Sequence, residues 1–346
     1  MDQQKETAMD LGKLKRLRER YGDEAGNQTY NERFARVAEH QFRDGVRAKP
    51  WSGVATLLDA PAQPNAEGLD VALIGVPMDL GVTNRPGARF GPRAVRDIER
   101  IGPYNHALDV LPFDVLKVAD IGDVPFNSRY SLGQSITDIE EYYRALSKTG
   151  AMPLSVGGDH SISHPILKVL GEGEPVGMVH IDAHADTSGP FEGEKFHHGG
   201  PFRNAVLDGV LDPERCIQIG IRGSAEYLWE FSYESGMTII HAEEFDLMGV
   251  EAVIARAREV VGDKPCYISI DVDGIDPAFA PGTGTPEVGG LTPREVQRLL
   301  RGLGGINLVG GDVVEVAPQY DANTTTAMVG AQMLFEILSL VAVSKT

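Results

Sequence analysis

The chain is short of cysteine and of positive charge, and each shortage closes off a class of protein. Its 346 residues include two cysteines, Cys216 and Cys266. Neither sits in a C-x-x-C pair, so a disulfide framework or a zinc ribbon is excluded and both read as buried strand thiols. Lys+Arg number 32 against 50 Asp+Glu, a formal charge of −18. The first 50 residues carry 11 basic and 9 acidic side chains, which leaves 21 against 41 for the remainder. Such an acidic body disfavours nucleic acid as a partner and attracts cationic ligands. Also missing is any run near the roughly 18 uninterrupted apolar residues of a membrane span, and the opening MDQQKETAMDL has no stretch resembling a secretory signal. The expectation is a soluble, cytoplasmic protein with no membrane and no nucleic acid among its partners. At 42% hydrophobic and 24% charged, the composition is globular and can bury a large core.

Residues 1–65 read as an N-terminal arm: a charged, helical opening at 11–21, then a stretch punctuated by Pro and Gly at 49–65. Residues 66–346 read as one α/β domain. There, short β-branched runs alternate with segments of helical period, the pattern of a mostly parallel sheet covered on both faces. Eight strands are expected, at 71–77, 115–122, 153–160, 177–184, 217–223, 238–245, 266–274 and 308–318. Helices are expected at 134–148, 250–261, 293–303 and 324–343, the third opened by the Thr292-Pro293 start signal.

Several strands end in Asp or His, and parallel α/β sheets gather ligands at those ends. In His180-Ile181-Asp182-Ala183-His184-Ala185-Asp186 an extended chain turns Asp182, His184 and Asp186 to one side. A second strand ends Asp271-Val272-Asp273, and a third Gly158-Asp159-His160. Unpaired carboxylates crowded into a cleft repel strongly, and cations are the simplest remedy. Two imidazoles (His160, His184) and four carboxylates (Asp182, Asp186, Asp271, Asp273) suit two divalent metals, with Asp159 standing behind them. Nitrogen and oxygen donors without thiolate point to Mn²⁺, Co²⁺, Ni²⁺, Fe²⁺ or Zn²⁺, and the carboxylate majority favours the harder ions. His180, amid apolar neighbours, reads as a hydrogen-bonded core histidine. His40, His106, His164 and His241 read as surface or packing residues.

The segments SVGGDHS (155–161), DAHAD (182–186) and SIDVDGIDPAFAPGTGTPEVGGL (269–291) together resemble the ureohydrolases, the arginase and agmatinase superfamily, from about Leu69 to the C-terminus. The resemblance implies a three-layer α/β/α domain with an eight-stranded, mostly parallel sheet. It also implies a binuclear Mn²⁺ centre, with Ni²⁺ as the alternative, and a homo-oligomer, trimeric or hexameric. His160, Asp182, Asp186 and Asp271 would hold one metal, and Asp182, His184, Asp271 and Asp273 the other, so that Asp182 and Asp271 bridge. Hydrolysis of a guanidinium requires an activated water, because the charge is spread over three nitrogens, and then a proton for the leaving amine. The run Phe196-His197-His198-Gly199-Gly200-Pro201-Phe202 resembles the family's His-Gly loop and puts His198 in the proton-shuttle role, with His197 as its rival. Glu315 matches the family's glutamate that binds the substrate, a planar acceptor for a planar cation. The segment 84–92, NRPGARFGP, also resembles the family; physically it reads as a turn that delivers the next helix, and a structural role is expected.

Asp186-Thr187-Ser188 and the HHGGPFR loop look closer to the agmatinase branch than to arginases. Agmatine is the leading substrate, because the acidic body attracts its cationic tail. Guanidinobutyrate, guanidinopropionate, and guanidine itself, small alkylguanidines or biguanides are the alternatives. Further alternatives are a formiminoglutamase, a single-zinc deacetylase of related fold, and a silent partner in a hetero-oligomer with a paralogous subunit. Intact donors for two metals argue against the last two.

Overall fold

A computed structural model describes residues 10–22, 32–33, 52–99, 101–223 and 228–345. Most of the expected arm, and His40 with it, lies outside the described residues. All eight expected strands form: β1 (Val71–Val76), β2 (Val118–Asp123), β3 (Met152–Gly157), β4 (Val176–Ile181), β5 (Leu211–Ile221), β6 (Thr238–His241), β7 (Cys266–Asp271) and β8 (Leu308–Val314). They build one parallel sheet in the order β2-β1-β3-β8-β7-β4-β5-β6. The interior strands are buried along their length, and their near-continuous Val and Ile content follows from having helices on both faces.

One apolar layer packs the helices Gly91–Arg96, Val250–Val261, Pro293–Gly302 and Thr325–Val343 on one side of the sheet. The other side carries Leu132–Ser147, Ser163–Leu170 and Pro201–Leu207. The start signal at Thr292 is realised as a capping box, Thr292 accepting from the Glu295 N–H while Glu295 accepts from the Thr292 N–H. Thr325–Val343 is long and apolar enough to cross a membrane, but 83% of its apolar window is buried inside the protein, as in a core helix.

Several ends differ from expectation. Pro112–Val115 forms a short helix, so β2 begins at Val118 rather than at 115. The stretch expected as 238–245 turns helical at Ala242, where Glu244 accepts from the His241 N–H. β5 starts six residues early, because Leu211 pairs with Val176 before a register shift. Leu57, Leu58 and Ala60 are buried in the core, and Ala62 bridges to Asp120, so the last residues assigned to the arm pack with the body.

Candidate metal centre

The four central strands β3, β8, β7 and β4 deliver the expected residues from their carboxyl ends: His160 after β3, Glu315 after β8, Asp271 and Asp273 from β7, and Asp182, His184 and Asp186 after β4. The strand ends approach closely because Gly274 has no side chain; a Cβ there would lie 2.8 Å from the Asp182 backbone. His160 Nδ1 stands 3.2 Å from Asp182 Oδ2, 2.9 Å from Asp186 Oδ2 and 3.4 Å from Asp271 Oδ2. His184 Nδ1 lies 3.5 Å from Asp182 Oδ1 and 3.2 Å from Asp273 Oδ2. The two oxygens of Asp182 thus face two separate clusters.

Beneath these residues a polar row crosses the sheet, through paired positions Ser155, Asp312, Ser269, His180 and Gln218 of five neighbouring strands. It fixes tautomers. Ser269 Oγ donates to Asp312 Oδ1 at 2.6 Å, so the 2.8 Å contact of His160 Nε2 to the same hydroxyl is one in which the imidazole donates. In the neutral ring, Nδ1 of His160 is therefore a lone pair. It is buried, has no hydrogen-bond partner and faces three carboxylate oxygens. Lone pair against anion is repulsive unless a cation lies between them, and the six donors fit a pair of divalent metals.

His180 is different. Gln218 Nε2 donates to Ala185 O and to His180 Nδ1, so His180 Nε2 carries the proton and donates to Asp182 Oδ2 at 2.8 Å. Both ring nitrogens are occupied, and His180 orients a carboxylate as an outer partner.

The electrostatics agree. Burial, reinforced by Asp273 and Asp182, raises Asp271 well above the carboxylate range. Burial also lifts Asp273 to about 6, with His184 opposing and Asp182 adding to the rise. Burial disfavours charge on His160 and His184, yet the neighbouring carboxylates outweigh it and raise both imidazoles. Protons hold the cluster together where no metal does.

Glu315 is 1% exposed and takes a positive φ of 65°, which ends β8 and turns its side chain across the site. Asp186 also has positive φ, 52°. Backbone strain of this kind costs about 1–3 kcal/mol and concentrates at functional positions. Glu315 Oε1 accepts from the His160 N–H and lies 2.9 Å from His198 Nδ1. Its Oε2 is buried without a partner. Beside Oε2 lies Gly284, whose absent Cβ would stand 3.8 Å away, in van der Waals contact with the carboxylate. Burial lowers the His198 pKa, but Glu315 more than compensates and lifts it to about 9. His197 turns away, its Nε2 against Gly189 O, so His198 faces the site.

Asp159 stands behind the cluster, as expected, and holds the Gly81 N–H at 2.7 Å. Sequence reasoning missed Ser269, Asp312, Gln218 and Thr83. The available signal for the first three was a polar residue within an apolar strand, Ser269 standing two positions before Asp271 as His180 stands two before Asp182.

Residues 69–339 match the model of the arginase family. The chain is 49% identical to guanidinopropionase of Pseudomonas aeruginosa over 305 residues, covering 87% of this chain and 96% of that protein. It is 48% identical to a mitochondrial agmatinase of Gallus gallus over 298 residues, or 85% and 87% of the two chains. Among solved structures, proclavaminate amidino hydrolase from Streptomyces clavuligerus superposes with a TM-score of 0.81 at 37% identity, covering 86% of this chain and all of that one. With the strand order, the clustered His and Asp donors and the match over most of its length, the chain belongs to the arginase family.

Proposed function

We propose that the protein is a hydrolase of C–N bonds in linear amidines that cleaves a guanidino compound to urea and an amine. The observation that carries this is the pairing of an orphaned His160 Nδ1 that faces three carboxylates with an orphaned, buried Glu315 Oε2. One implies a cation pair, the other a guanidinium. His160, Asp182, Asp186 and Asp271 would hold one metal and Asp182, His184, Asp271 and Asp273 the second, Mn²⁺ first and Ni²⁺ as the alternative. When bound, two divalent ions neutralise the carboxylates and lower the pKa of a water.

The chain's own groups do the rest. Glu315 Oε2 accepts from the guanidinium and fixes its plane, while Oε1, already engaged by the His160 N–H, cannot swing away. His198, 8% exposed, holds a proton on Nδ1 facing Glu315 and gives it to the departing amine. For the tail we favour a cationic group, because half-exposed Glu287 places a carboxylate 3.9 Å from His184 Nε2. The likeness to guanidinopropionase favours a second reading, a guanidino acid.

The test is urea release by protein loaded with Mn²⁺ or Ni²⁺, against agmatine, arginine, guanidinobutyrate, guanidinopropionate, guanidine and dimethylbiguanide. One strong substrate is the expected outcome. Silence across the panel with two metals bound, and formamide from a formimino substrate, would overturn it.

A further inference from the structure

The stretch 81–90, which overlaps the segment 84–92 expected to be structural, reaches into the site. The Gly81 N–H donates to Asp159 Oδ2 at 2.7 Å, and Gly81 O accepts from the His198 N–H at 2.9 Å. Arg85 donates to the carbonyls of Thr283 and Gly284 and lies over the Tyr320 ring, 4.4 Å from its centre. Gln319 and Tyr320 donate to Pro86 O, and Asp79 accepts from the Gly87 N–H. A turn fastened at so many points places its own side chains precisely.

Between the first fastening and the second lies Thr83. Its N–H donates to His198 Nε2 at 3.0 Å, and its hydroxyl lies 2.7 Å from the same nitrogen. A nitrogen that accepts from an N–H carries a lone pair, so the neutral ring of His198 holds its proton on Nδ1, beside Glu315. We infer that Thr83 is a positioning residue for proton delivery: it keeps the mobile proton of His198 on the nitrogen that faces Glu315 and accepts a hydrogen bond from the other ring N–H on its hydroxyl.

The protons balance. In the charged ring Nδ1–H points toward Glu315 and Nε2–H toward Thr83 Oγ1, whose own hydrogen turns outward, Thr83 being exposed. The Nδ1–H bond breaks as an N–H bond forms on the leaving amine, which leaves a neutral ring with its proton on Nε2. The backbone N–H of Thr83 cannot accept that proton, so the hydroxyl is the acceptor there. Loss of the hydroxyl leaves the charged ring facing only a donor.

This inference rests on the role given to His198 above, and the experiment separates the two. In the metal-loaded enzyme with its best guanidino substrate, Thr83→Val should lower kcat about tenfold or more, as expected when a hydrogen bond to a charged group is lost. KM should stay within about twofold and two metals should remain bound, while Thr83→Ser restores most of kcat. The ring ¹⁵N shifts of His198 in the metal-free protein, assigned against His198→Asn and read above pH 9 where the ring is neutral, should place the proton on Nδ1. A Thr83→Val enzyme with undiminished kcat beside an inactive His198→Asn overturns the inference alone, as does a neutral ring with its proton on Nε2. An active His198→Asn overturns the reading beneath it as well.

Discussion

Glu336 and Asp271 are both buried acids, and their surroundings differ in kind. Glu336, fully buried in the helix Thr325–Val343, accepts from Arg301 twice and from Asn105, Gln297 and Gln332. Every lone pair is met by a donor and the charge by a guanidinium. Asp271 faces Asp182, Asp273 and the lone pair of His160, with one backbone N–H, that of Asp273, to hold it. The first carboxylate is satisfied by the protein. The second is left in deficit, and the deficit amounts to affinity for something absent from the polypeptide.

The contrast is breakable. Stripping the metals with a chelator should abolish urea release and lower Tm by several degrees, because binding free energy at such a site is folding free energy. The increment in Tm on adding Mn²⁺ should also grow as pH rises from about 5 to 8. The raised imidazoles of His160 and His184 and the raised carboxyl of Asp273 bind protons in the metal-free fold, and that proton-linked stability fades as pH climbs. The metals take the deprotonated donors, so they gain what protons lose. An increment that shrinks with rising pH would contradict the deficit.

Next in size is Glu315→Gln, which should cost roughly 10³-fold or more in kcat/KM with both metals retained. A variant with normal turnover sinks the assignment. Glu336→Ala should do the reverse: urea denaturation should show a loss of about 3–5 kcal/mol, since Arg301 is left uncompensated, while kcat stays within about twofold. The smallest effect is expected at Asp312→Asn, which lets Ser269 release the His160 tautomer. Metal affinity measured by calorimetry should fall roughly 10–100-fold. Unchanged affinity would mean that the polar row is scaffold alone.

The strands and the ligands were legible in the sequence for one reason, locality. A β-branched run and a D-x-H-x-D alternation each express their geometry within five to seven residues. What failed was set elsewhere. The end of β8 at Val314, short of the expected 318, is dictated by Glu315 reaching back to the loop after β3. Thr83 meets His198 across 115 positions of chain, and Ser269 meets His160 across 109. Hydroxyls are too common in sequence for such distant pairings to be recognised, so an outer support reads as an ordinary Ser or Thr until the fold brings it under its ligand.

The position of β8 bears on when the protein becomes an enzyme. A chain synthesised as far as residue 307 already contains all six proposed metal donors, but His160 belongs to the β2-β1-β3 half of the sheet and the other five to β7-β4-β5-β6. Each half presents a bare edge where β8 will lie. β8 therefore joins the halves and brings Glu315 with it. Closing the sheet and completing the proposed substrate slot are a single event, so a chain that stops short of β8 holds the donors apart.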